Sequence, residues 1–70
     1  MHTVLLSRSY PLSATSSARV DLLQDTDTLH RVWEVTVIVR TSKGVTLGSI
    51  TRRKTRSEAM RTVRRLLATS

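Results

Sequence analysis

The sequence predicts an α+β fold, in which a small antiparallel β-sheet of three or four strands packs on one C-terminal amphipathic α-helix. Two patterns predict it. Apolar and polar residues alternate with period two through residues 29–40, which is typical of a strand with one buried face. From residue 55 onward, the apolar residues recur at helical spacing instead. We expect the 70 residues to form a single domain with a small core, because a chain this short buries little surface.

The clearest element is a β-hairpin built from the alternating strand and the residues after it. Its turn, Thr41-Ser42-Lys43-Gly44, ends on a glycine that can adopt a positive φ. Pairing Thr41 with Val45 would place one apolar set on a single face: Val35, Val37, Val39, Val45 and Leu47. The other face would then carry these cross-strand pairs: Glu34 with Arg52, Thr36 with Ile50, Ile38 with Gly48, and Arg40 with Thr46.

The N-terminal part gives weaker patterns. Residues 1–17 are poorly defined, but residues 3–10 fit a short strand with Val4, Leu6 and Tyr10 on one side. The Ser/Thr-rich residues 13–17 predict a loop. Residues 19–24 fit a further strand, which ends at a predicted turn over residues 25–28. Antiparallel strands are therefore expected within residues 18–52.

A helix is predicted over residues 55–68. Thr55 and Glu58 have the spacing of a capping box, with Ser57 as the alternative N-cap. The apolar stripe of this helix comprises Ala59, Met60, Val63, Leu66 and Leu67. We expect the stripe to cover the sheet face that carries Trp33 and Val35.

Composition excludes several classes of protein. The chain has no Cys, so disulfides and thiolate metal sites are excluded. The early apolar run Val4-Leu5-Leu6 is too short for a signal peptide or a membrane span, so we expect a cytoplasmic protein without a membrane partner. His2 and His30 lack partners at catalytic spacing, and no Gly-rich phosphate loop occurs. We therefore expect no enzymatic activity, no cofactor and no metal.

Positive charge is concentrated in the second half of the sequence. The net charge is +7, and residues 36–70 hold nine basic residues against Glu58 alone. Such asymmetry predicts a polyanionic partner, and Arg suits bidentate phosphate contacts. The alternative is a solvated helix face. The candidate nucleic-acid-binding residues are Arg40, Lys43, Arg52, Arg53, Lys54, Arg56, Arg61, Arg64 and Arg65. Within them we distinguish the junction cluster (Arg52, Arg53, Lys54, Arg56) and the helix cluster (Arg61, Arg64, Arg65).

The sheet face turned away from the helix is a second candidate surface. Its residues Thr36, Ile38, Thr46 and Ile50 could contact thymine methyl groups and base edges in a major groove. Two alternatives stay open at this point. Residues 1–24 could fold over this face and bury it, or the face could pair with a second copy of the chain as a homodimer.

The stretch Trp33-Glu34-Val35-x-Val37, followed by Gly44, Arg53-Lys54-Thr55 and Glu58-Ala59, resembles two related DNA-binding families. These are the arm-type domain of tyrosine-recombinase integrases and the plant APETALA2-type domain. The resemblance covers residues 29–68. It implies a three-stranded sheet laid in the major groove with the helix behind it, and a contact set of Thr36, Ile38, Arg40, Thr46 and Arg52. This sequence departs from the pattern in carrying its densest basic residues on the helix and before it.

The C-terminal half also resembles that of a double-stranded-RNA-binding domain, in which basic residues at the last helix's N-terminus grip phosphates. That resemblance implies the same role for the junction cluster. The first helix of that family has no counterpart within residues 1–20.

Taken together, these patterns predict a small DNA-binding accessory or regulatory protein, of a size that phages and mobile elements often encode. The alternative is a non-enzymatic module that binds and inhibits a cellular protein. A third hypothesis is an RNA- or ribosome-associated protein. Duplex DNA is the favoured partner.

Overall fold

Four strands and one helix follow one another along the chain. The computed structural model describes residues 1–69. Its elements are β1 (His2–Pro11), β2 (Ser16–Asp25), β3 (Arg31–Thr41), β4 (Gly44–Arg53) and α1 (Arg56–Thr69). The strands form one antiparallel sheet in the order β1-β2-β3-β4. The predicted α+β class is therefore confirmed, with four strands.

The core lies between α1 and one face of the sheet. Its buried apolar side chains are all small, namely Ala18, Val20, Val35, Ala59 and Val63. Larger side chains pack around this centre and stay partly exposed, namely Tyr10, Leu12, Trp33 and Leu66. Small residues on both elements allow a close approach of helix and sheet. They also bury little apolar area, so each core methyl group contributes a large share of the stability.

The start of α1 agrees with the predicted cap. Thr55 Oγ1 accepts a hydrogen bond from the backbone N–H of Glu58 at 3.2 Å, which satisfies one of the unpaired amides at the helix N-terminus. The helical stripe differs in one position, because Leu67 is 45% exposed whereas Thr62 is buried. At about 100° per residue, position 62 lies about 40° from position 66 around the helix axis, whereas position 67 lies about 80° from position 59 and falls on the flank.

The β3–β4 register is as predicted only in the half farther from the turn. Glu34 pairs with Arg52 and Thr36 with Ile50, as expected. Beyond Val37 a β-bulge at Gly48 shifts the register by one residue, so the other predicted pairs are wrong. The observed pairs there are Ile38 with Leu47, Val39 with Thr46, Arg40 with Val45, and Thr41 with Gly44.

Gly48 explains the shift. A Cβ atom at this position would lie 3.2 Å from Val37 Cγ1, so a larger residue here would crowd the Val37 side chain, and glycine avoids that contact. The extra residue turns the rest of β4 over. Val45 and Leu47, which we expected on the helix side, lie on the opposite face, and Thr46 takes the helix side. Gly44 has the expected positive φ, at 129°.

The N-terminal segment is a full strand that belongs to the sheet. β1 pairs with β2 along its length and contains a bulge between Val4 and Leu6. Leu6 and Tyr10 therefore share the helix side, but Val4 faces the other way, contrary to the prediction. The predicted loop is shorter than expected, because Ser16 and Ser17 already belong to β2.

The β2–β3 turn is organised by Asp25. Its Oδ1 accepts hydrogen bonds from the backbone N–H groups of Thr28 and Asp27, at 2.9 and 2.8 Å. These two bonds hold the pKa of Asp25 below its ordinary value. Leu29, which completes the turn, has a φ of 63° and is 64% exposed.

Candidate nucleic-acid interface

The two faces of the sheet differ in what covers them. α1 lies over one face, which we call the helix side. No helix or strand within residues 1–69 lies over the other, which we call the open face. Its members follow from the strand register: His2, Val4, Ser7, Ser9, Pro11, Ser17, Arg19, Asp21, Leu23, Asp25, Val32, Glu34, Thr36, Ile38, Arg40, Val45, Leu47, Ile50 and Arg52. The alternative in which residues 1–24 fold over this face is wrong, since those residues are β1 and β2 of the sheet itself.

Two carboxylates lie side by side in the middle of the open face. Asp21 and Glu34 are cross-strand neighbours on β2 and β3. Arg19 Nε donates to Asp21 Oδ2 at 3.0 Å, and Ser7 Oγ donates to Asp21 Oδ1. Arg52 Nε donates to Glu34 Oε2 at 3.2 Å. Each carboxylate is therefore paired with an arginine of the same face.

The open face as a whole carries equal numbers of positive and negative side chains. It carries three arginines (Arg19, Arg40, Arg52) and three acidic residues (Asp21, Asp25, Glu34). The other nine basic residues and two acidic residues lie on the helix side, in α1, and in the turns and junctions. The whole net charge of +7 therefore belongs to the part of the molecule outside the open face.

The junction and helix clusters meet at Arg53. Arg53 lies on the helix side, because it pairs across the sheet with Trp33. Its Nε donates to Thr62 Oγ1 of α1 at 3.3 Å, and Thr62 Oγ1 donates to the carbonyl of Glu58 at 3.1 Å. Its Nη1 donates to the Arg52 carbonyl at 3.2 Å. The guanidinium of Arg53 is thereby held by one hydrogen bond to α1 and one to the backbone of β4.

A cavity of about 270 Å³ opens beside this contact, along the seam between β4 and α1. Three arginines from two different elements line it together with one acid and one hydroxyl, namely Arg53, Arg61, Arg65, Glu58 and Thr62. We call this the arginine cleft. Arginine forks around an open cleft are suited to an oxyanion with several acceptor oxygens, of which a phosphate diester is the commonest polymeric form.

The remaining candidate cations are distributed over four places. Lys54 and Arg56 are exposed at the N-terminus of α1, next to the arginine cleft in sequence, and Arg64 is exposed on the helix. Arg52 is on the open face, bound to Glu34. Arg40 and Lys43 lie toward the hairpin end, about 25 Å along β4 from Arg53 at the usual rise per residue. The structure does not bring these last two to the cleft.

The candidate sheet-face contacts are reduced to two. Thr36 is 1% exposed, and its Oγ1 is buried without a hydrogen-bond partner, so it offers no surface to a ligand. Thr46 faces the helix side, because the Gly48 bulge turns it over. Ile38 and Ile50 remain on the open face, and Ile50 is 54% exposed. Arg40 and Ile38 also line a smaller cavity of about 170 Å³ beside the serine-rich β1–β2 loop.

Sequence reasoning missed two features of these surfaces. The Arg19–Asp21 pair has the i, i+2 spacing that places two side chains on one face of a strand, and this spacing could have revealed it. The apolar side chains of Val45 and Leu47 on the open face were missed because Gly48 was taken as an ordinary strand residue. A glycine inside a strand pattern often indicates a bulge.

Comparison with known proteins does not indicate a function, so a proposed function depends on the geometry of the site. The chain matches no family model, no curated protein and no solved structure. Within residues 1–69, no helix has both the length and the apolar content to cross a bilayer. The same residues contain no group of three or more His, Cys, Asp or Glu side chains placed to hold a metal ion.

Proposed function

We propose that this chain is a small nucleic-acid-binding protein that binds the phosphate backbone with the side of α1, and that duplex DNA is its favoured ligand. The distribution of charge carries the proposal. The whole net charge of +7 lies outside the open face, and three of its arginines surround one cleft. A polyanion gains most from a surface of this kind, because each phosphate contact releases condensed counterions.

The geometry favours phosphate contacts over base contacts. Arg53, Arg61 and Arg65 come from a strand end and a helix face, so they form a short basic groove without an element protruding from it. Phosphate contacts position a protein on a duplex and carry no sequence information by themselves. The expected binding is therefore strong at low salt and weakly dependent on sequence.

The open face is the less suitable surface for a backbone. Its two central carboxylates would lie against the phosphates, and the arginines beside them are already engaged. The groove-reading arrangement that the sequence resemblance implies would need both Thr36 and Thr46 exposed on this face. One is buried and the other faces the helix side.

Duplex DNA is placed ahead of single strands because of the aromatic residues. Single-strand binders stack bases on exposed aromatic side chains. Trp33 and Tyr10 are the only aromatics, and both pack against the core. A single strand would therefore lose its main source of affinity, whereas a duplex needs only the arginines.

The test is a salt series of equilibrium binding, with the full chain and three labelled ligands of equal length: duplex DNA, single-stranded DNA and duplex RNA. With three to five phosphate contacts, we expect log affinity for duplex DNA to fall against log salt with a slope of about −3 to −4.5. We expect single strands to bind more weakly at every salt concentration.

Two results would overturn the proposal. If none of the ligands binds at low salt, the partner is a protein with an acidic surface. If affinity does not change with salt, the arginines do not contact phosphates. If the chain binds duplex RNA more tightly than duplex DNA, the proposed phosphate contacts stand, and duplex RNA replaces duplex DNA as the ligand.

A further inference from the structure

The open face carries an apolar patch near the hairpin end. Val45, Leu47 and Ile50 are 64%, 61% and 54% exposed, and the half-buried Ile38 lies between them as the cross-strand neighbour of Leu47. The Gly48 bulge creates this patch, because it turns Val45 and Leu47 away from the helix. A contiguous apolar patch on a small protein commonly indicates an interface.

The accessible surface of the chain is larger than that of a typical monomer. It measures 5162 Å², whereas a compact monomer of this mass exposes about 4,400 Å². The difference, about 750 Å², is close to the area of about 800 Å² that each partner buries in a standard interface. The extents of the chain are 39 × 26 × 15 Å, and the smallest of them fits a sheet that is covered on one side only.

The balance of charge on the open face favours a second copy of this chain as its partner. A second copy of a chain with net charge +7 is repelled at most approaches. The open face is the exception, since its three arginines are matched by three acidic residues. Two such faces can approach without net repulsion, and their exposed apolar side chains then lose water together.

We propose that two copies of this chain pack open face against open face as a two-fold symmetric dimer. The contact is isologous, with the patch of Ile38, Val45, Leu47 and Ile50 on both sides. The two sheets then lie about 10 Å apart, as in other sheet-on-sheet packings. Both α1 helices, with their arginine clefts, face outward on opposite sides. This dimer does not depend on nucleic-acid binding.

The experiment is sedimentation equilibrium of the full chain, without nucleic acid, across the micromolar range. We expect a mass of twice 7.9 kDa that falls toward the monomer on dilution. Leu47→Glu should raise the dissociation constant about 100-fold or more, because an isologous interface contains the buried charge twice. The matched control is Leu29→Glu, which changes an equally exposed leucine (64% against 61%) in the β2–β3 turn. The control should remain dimeric.

A second variant separates dissociation from unfolding. Leu47→Thr keeps a high strand propensity and introduces no charge, so it should weaken the dimer and leave the circular dichroism spectrum unchanged. The proposal is overturned if the wild-type chain sediments as a monomer throughout. It is also overturned if the dimer survives both Leu47 variants, since the contact would then run through a sheet edge or the helix side.

Discussion

Replacing Arg61 and Arg65 with glutamine should weaken duplex DNA binding about 60-fold at about 0.1 M salt, because each lost phosphate contact removes about 0.9 from the salt slope. The slope itself should become shallower by about 1.8. Both arginines line the arginine cleft and are exposed. Glutamine has a similar helix propensity, so the fold should be unchanged by circular dichroism.

The matched control removes the same charge from other places. Arg8 lies on the edge strand β1, and Lys43 lies in the β3–β4 turn, outside the open face. The double variant Arg8→Gln with Lys43→Gln should lose less than about 3-fold in affinity at the same salt, since distant charges are screened over about 10 Å. Equal losses in the two double variants would show that net charge alone governs binding and that the arginine cleft is not the binding site.

Val63→Ala should destabilise the fold by about 2 kcal/mol, which is the transfer free energy of two buried methyl groups plus the cavity they leave. Val63 is 1% exposed at the centre of a core made of two alanines and three valines. A domain of this size has only a few kcal/mol of stability in total. Chemical denaturation should therefore show a large shift of the midpoint.

Leu67→Ala is the control on the same helix, one turn later. It removes a larger side chain from a position that is 45% exposed. We expect a loss below about 1 kcal/mol, as for most partly exposed positions. A greater loss of stability for Leu67→Ala than for Val63→Ala would mean that the side chain of Leu67 packs against the sheet, as the stripe predicted from the sequence implies.

The parts of the fold that sequence predicted are those governed by local rules. Thr55 and Glu58 predicted the helix start, because a cap requires only the residues next to it. The period-two pattern of β3 predicted which face is buried, since alternation follows from strand geometry alone. Glu34 and Arg52 were correctly paired because the Gly48 bulge restores the predicted register in the half of the hairpin farther from the turn.

The parts that sequence did not predict depend on contacts across the sheet. The observed turn is one residue tighter than expected, which shifts the strand pairs between the turn and Gly48. The bulge at Gly48 adds one residue to β4 and so restores the expected pairs farther from the turn. The burial of Thr36 depends on neighbours from β2 and β4. The cleft depends on Arg53 being held by Thr62, a polar residue that the apolar stripe left out.

Dimerisation through the open faces would have a consequence for nucleic-acid binding. A dimer formed through the open faces carries two arginine clefts that face in opposite directions. It could then hold two duplexes, or two segments of one duplex, at the same time. Linking two weak phosphate-binding surfaces in this way raises avidity without any new contact.

The proposed interface for nucleic acid is the side of α1 and not the open face of the sheet. The most direct measurement is a titration of the ¹⁵N-labelled chain with a short DNA duplex, followed by the shifts of the backbone amides. Binding at the arginine cleft should concentrate the shifts in residues 53–65. Shifts that concentrate at Ile38, Leu47 and Ile50 would contradict it and assign the open face to the nucleic acid.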